Sequence, residues 1–270
     1  MAFYWSRDLL FDGGQIQGIQ GNSNLLALSA LLALIVFAVQ WVSGTASKVW
    51  LGFWGVVAVA CLALTRSSTV LIALGAVIVV GVFLWLVRAT SGARRGAVYG
   101  AGVVVALGIA AVGIFANGLV LKVLGKSAEL THRTDIWQTV IPLANQRPAV
   151  GWGWVGWWAP WVEPFKHLAV IKGVTYLQAH DAWIDIYFQL GVIGLIVFGL
   201  LVLTTLGRSW LMAIEAGPRR ARLVELFPFL VMVALIVHSI AESRLLVEIL
   251  FALLVISAIR SAQREPEPDA

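Results

Sequence analysis

Charge and cysteine are what this sequence has least of. Only 12% of its 270 residues are Asp, Glu, Lys or Arg, against 60% that are apolar, and mean hydropathy is +0.90. A soluble domain of this length could not hide that much apolar surface from water, so the solvent is lipid. The lone cysteine, Cys61, lies in an apolar run. It excludes a disulfide framework or a cysteine metal cluster within the chain and reads as a small packed hydrophobe. Strand-like alternation is missing, which excludes a membrane barrel and leaves helices as the way to satisfy backbone hydrogen bonds in lipid. No internal repeat is evident. Residues 1–21 contain no basic segment leading into an apolar stretch and do not read as a cleavable signal peptide.

Apolar runs are abundant. A window of about nineteen residues finds about seven spans, placed at 25–42, 49–64, 69–87, 97–121, 182–206, 223–240 and 245–259. The expected fold class is therefore all-α: a polytopic transmembrane helical bundle, one membrane domain over 1–270. A long loop at 122–180 connects the fourth and fifth spans. The tail, 261–270, is polar and broken by proline, which reads as disorder.

The net charge of +5 would suggest nucleic acid in a soluble protein. Here the basic residues lie between apolar spans, and membrane topology accounts for them. If the chain starts outside, the inner segments hold Lys48, Arg88, Arg94, Arg95, Arg208, Arg219, Arg220, Arg222, Arg260 and Arg264. The short outer segments hold only Arg7, Arg66 and Arg244. The long loop is then extracytoplasmic and the tail cytoplasmic. An outside start is what a chain lacking its first helices would show.

Within the loop, Thr131-His132-Arg133-Thr134-Asp135 reads as a helix start, with a threonine cap and an acid in the first turn. Ile136, Trp137, Val140, Ile141 and Ala144 then share one face, as in an amphipathic helix lying at the membrane surface, bent at Pro142 and ended by Pro148. Five tryptophans follow closely: Trp152, Trp154, Trp157, Trp158 and Trp161. They suit an interfacial aromatic belt or a platform on which sugar rings stack.

The loop closes on Gln178-Ala179-His180-Asp181, directly before a span. A histidine there is placed to act as a general base, or to serve structure alone, and Asp181 and Asp185 to orient it or cap the helix. Arg66, in the turn between two spans, falls at the same face as Arg133 and His180. It is either a snorkelling turn residue or, with Arg133, half of a fork for phosphate oxygens. His238 and Glu242, four apart, are expected on one helix face, as a local ion pair or an extension of that outer site.

Arg133-Thr134-Asp135-Ile136-Trp137, Arg147-Pro148-Ala149-Val150-Gly151-Trp152-Gly153, and His180-Asp181 leading into Gln189-Leu190-Gly191-Val192-Ile193-Gly194 resemble the O-antigen ligase and polymerase family. The Thr65-Arg66-Ser67 turn and Gly21-Asn22-Ser23-Asn24 are similar to its upstream features. The resemblance implies a metal-independent, cofactor-free bacterial glycosyltransferase at the outer face of the cytoplasmic membrane. The implied donor is a polyprenyl-diphosphate-linked oligosaccharide, the acceptor a lipid, glycan or protein. Membrane lipids are the other implied partners, and nucleic acid is not one. Arg66 and Arg133 would hold the diphosphate and His180 would activate the acceptor hydroxyl. Arg147, Trp137, Trp152, Asp181 and Glu242 are the candidate substrate contacts. A single base opposite the leaving group implies inversion at the anomeric carbon. Two departures stand out: the family usually has asparagine where this chain has Asp181, and its members usually have more spans. The rival class is a transporter or assembly scaffold, which would carry its ionisable residues near the middle of spans. Most of the charges here are at span ends.

Overall fold

The computed structural model describes residues 11–12, 14–115, 127–168, 170–171, 174–215 and 220–263. The first ten residues, the expected loop start at Lys122 and the tail from Arg264 lie outside that set.

Every expected span contains a helix. They are α1 (Ser23–Ser43), α2 (Lys48–Thr65), α3 (Ser68–Ala89), α4 (Gly92–Phe115), α6 (Ala182–Glu215), α7 (Leu226–Ser239) and α8 (Glu248–Ala262), with α5 (Ser127–Ala144) in the loop. Of these, α1, α2, α3 and α6 are each long and apolar enough to cross a membrane. Among the described residues the strands form two short antiparallel pairs, Phe11–Asp12 with Gln15–Ile16 and Val170–Ile171 with Val174–Thr175. The chain divides into two compact units. One comprises 1–84, 205–238 and 256–270, and the other 85–204 and 239–255.

In the first unit, local chemistry sets the helix ends. The Asn22 side chain accepts from Leu25 N–H at 3.0 Å and caps α1, which ends on Gly44 in the left-handed conformation. Ser67 caps α3 and donates to Asn24 Oδ1 at 2.7 Å, joining the α2–α3 turn to the start of α1. Phe83 stacks on Trp210 with ring centroids 5.8 Å apart, and Trp210 leans on Phe229.

In the second unit, α5 starts five residues earlier than its sequence suggests. Thr131 is therefore inside the helix and not its cap, and Pro142 sits within its last turn. The helix stops at Ala144, ahead of Pro148. The expected apolar face exists, but Ile136, Val140 and Ala144 pack into a protein core with Trp158, Phe165, Leu168, Tyr176, Ala179 and Phe188. Burying each large side chain of that set is worth about 1.5–3 kcal/mol, so the loop carries a core of its own. The tryptophans divide. Trp158 is fully buried in this core, whereas Trp154, Trp157 and Trp161 are exposed, the last at 72%.

Helix α6 breaks at Gly191, whose φ of 64° and ψ of −165° are open to glycine almost alone. The break frees backbone groups that lipid cannot satisfy, and residues 148–153 satisfy them. Trp152 and Gly153 N–H donate to the carbonyls of Phe188 and Gln189, at 3.1 and 2.8 Å. Val192 and Ile193 N–H donate to the carbonyls of Pro148 and Ala149, at 2.8 and 3.2 Å. The two backbones cross so closely that a Cβ on Gly151 would lie 2.4 Å from the Gln189 carbonyl carbon, and one on Gly191 2.4 Å from that of Ala149. The two motif segments, 147–153 and 189–194, are thus one interlocked element.

Candidate active site

The interlock holds the short arm of α6, 182–190, against the core of the loop, and His180 stands just before that arm. Its backbone is in the left-handed region, φ 54°, where a non-glycine residue persists only if its surroundings hold it. They do so on both sides. Ala179 N–H donates to Asp185 Oδ2 at 2.9 Å, and Ala179 O accepts from Trp137 Nε1 at 2.9 Å. Asp181 Oδ1 accepts from the N–H groups of Trp183 and Ile184 at 2.9 and 3.0 Å, capping α6.

The side chain of His180 has a partner far along the chain. Its Nδ1 lies 3.2 Å from Glu242 Oε2. Glu242 is only 4% exposed. The same oxygen accepts from Gln178 Nε2 at 2.9 Å, and Arg133 Nη2 is 3.7 Å from the other oxygen. A buried carboxylate is costly unless charge and hydrogen bonds compensate it, and here Arg133, Gln178 and His180 supply both. With Nδ1 facing Glu242, the neutral imidazole presents its lone pair at Nε2. The geometry is that of a base oriented by a carboxylate. Burial raises the Asp181 carboxyl above its ordinary 3.8, against the opposing pull of its two backbone donors and of Arg133.

His180, Arg133, Asp181 and Glu242 therefore come together, and Trp137 joins them through its indole N–H. Glu242 arrives by a route that four-residue spacing does not describe. Helix α7 ends at Ser239, and Glu242 precedes a short 3-10 turn, Ser243–Leu246, so it and His238 do not share a helix face. Trp152 donates to Leu143 O at 2.8 Å, and Arg147 covers the Trp152 ring at 4.1 Å, a cation-π contact. Arg66 belongs to the other unit. It is exposed and caps the end of α2 at φ 50°, as the tight-turn reading expects.

Sequence reasoning gave Gln178 and Ser243 no role and left Asp185 as an orienter or a cap. Asp185 is 1% exposed. Its carboxylate faces the side chains of Ser243, Gln189 and Trp158. Its acidity inside an otherwise apolar span was the available signal.

A profile described as O-antigen ligase matches residues 53–199, a stretch that includes the Arg66 turn, Arg133, the interlock and His180. The exopolysaccharide production protein ExoQ of Rhizobium meliloti (strain 1021) is 31% identical over 200 residues, 69% of this chain. The chain spans 45% of the length of that relative. No solved structure matches the chain. The chain belongs to the O-antigen ligase family.

Proposed function

We propose that this chain acts in the biosynthesis of a surface or exported polysaccharide, transferring or polymerising a glycan carried on a polyprenyl diphosphate at the outer face of the bacterial cytoplasmic membrane. The observation that carries the reading is the Glu242–His180 pair beside Arg133. Nε2 of His180 takes the proton from an acceptor hydroxyl while that oxygen bonds to the anomeric carbon of the donor. The bond from the anomeric carbon to the phosphate oxygen breaks, and the polyprenyl diphosphate leaves with the electron pair. The charge growing on the phosphate meets the guanidinium of Arg133, whose remaining donors suit phosphate oxygens. The charge growing on the imidazole meets Glu242. Attack opposite the leaving group inverts the anomeric centre, and the scheme requires no metal. Arg66 enters as a second diphosphate contact from sequence resemblance alone.

The test is the amount and length of glycan made by cells whose sole copy carries His180→Ala or Arg133→Ala. Loss of the polymer with protein levels unchanged is expected. Wild-type glycan from either variant would overturn the reading.

A further inference from the structure

We propose that Asp185 is the positioning residue for His180, holding the strained backbone from which the imidazole reaches Glu242. This deepens the reading of His180 as the base and rests on it. Three observations carry it. First, a histidine at φ 54° gains nothing locally from that conformation; the restraint has to come from neighbours. Second, the residue preceding it is tied through both of its backbone polar groups, the N–H of Ala179 to Asp185 Oδ2 and its carbonyl to Trp137 Nε1. Asp185 has fixed footing, because it lies on the arm of α6 that the Gly151–Gly191 interlock anchors. Third, the same carboxylate faces the side chain of Ser243, the residue after Glu242.

The enclosure of that carboxylate sharpens the case. Asp185 is 1% exposed, and the buried Trp158 Nε1 and Ser243 Oγ face its carboxylate. A helix cap or a solubilising charge would not need a carboxylate so completely enclosed, since burying an acid costs free energy that its neighbours must offset. What the position supplies is reach. One carboxylate abuts the segment bearing His180 on one side and the segment bearing Glu242 on the other, so it sets the separation between base and partner.

The test reads the His180 tautomer and does not depend on turnover. The full chain is labelled with [15N]histidine in lipid nanodiscs, and the His180 signal is assigned with His180→Gln. At pH 9, wild type should show the Nδ1–H tautomer held by Glu242. Asp185→Ala should move it towards the Nε2–H form that an unrestrained imidazole prefers, and Asp185→Asn, which keeps an acceptor for Ala179 N–H, should restore it. Trp137→Phe removes the opposite tie and should shift the signal the same way, so the proposal remains testable if Asp185→Ala does not fold. An unaltered His180 signal in folded Asp185→Ala, or in Trp137→Phe, would overturn it. In cells, Asp185→Ala should reduce glycan by about 10²-fold, the scale of misplacing a reacting group by an ångström, while Asp185→Asn keeps most of it. If His180→Ala cells make normal glycan, the base reading fails while the tautomer result stands. If His180→Ala is inactive and Asp185→Ala behaves as wild type, the positioning inference alone fails.

Discussion

His180 is held by more groups than its place beside a span entrance would suggest: Ala179 is tied on both sides, Asp181 caps the helix that follows, and Glu242 takes the imidazole. Replacing Glu242 with glutamine keeps a hydrogen-bonding group of the same size and removes the charge that stabilises an imidazolium. Transfer should fall by about 10²-fold, within the range that a general base contributes, with protein level unchanged. A rate equal to wild type would show that the charge of Glu242 is irrelevant to the base. Asp181 offers a test with a pH signature. Its carboxyl is raised by burial, so ionising it opposes folding. Its contribution to stability is complete below the unfolded value near 3.8 and is lost as pH rises through the higher folded value. Asp181→Asn keeps the cap and removes the charge. Thermal unfolding across pH 3–8 should therefore show wild type losing ground to the asparagine variant as pH rises. Asp181→Ala, lacking the cap, should be less stable than Asp181→Asn by about 1 kcal/mol.

Of the elements, the broken helix α6 decides where the site stands. Its sequence reads as one apolar span, yet only 192–215 continues beyond the break, and 182–190 packs with the core of the loop. Gly151 and Gly191 make this possible, because each lies where any Cβ would strike the opposing backbone. Gly151→Ala and Gly191→Ala should each destabilise the protein by about 3 kcal/mol or more, by strain and lost backbone hydrogen bonds. Gly199→Ala, whose Cβ would meet nothing closer than a Trp183 ring atom at 4.0 Å, should be neutral or slightly stabilising. Detergent thermal melts of the three variants separate these outcomes. Both glycines stand out in the sequence as parts of motifs, but nothing there links them, since a crossing between residues forty positions apart leaves no mark on local periodicity. The apolar face of α5 is legible, and by periodicity alone it suits a membrane surface. A hydrophobic stripe looks the same whether lipid or protein covers it, and here Trp158, Phe165 and Phe188 cover it.

For the whole molecule, the distribution of lysine and arginine predicts that the loop and the inner segments lie on opposite sides of the membrane. With Cys61 replaced by alanine, Lys166→Cys should react with an impermeant thiol reagent in spheroplasts, and Arg88→Cys only after lysis. The reverse pattern would invert the orientation and move His180 to the wrong face for the proposed donor. The sequence by itself determined the helical class, the lipid environment, the positions of the helices and the order of the family motifs. Each of these follows from composition or from patterns within a few turns of chain, which local hydropathy records directly. Only the tertiary structure decided that Glu242 is the partner of His180, that Trp137 serves the backbone of the site through its N–H, that Trp158 leaves the aromatic cluster for a core, and that Asp185 lies beneath the pair. Those are contacts between distant segments in which one charge or indole is chosen among several chemically equivalent ones. Packing makes that choice, because a buried carboxylate is tolerated only where separate elements bring it hydrogen bonds and opposite charge together.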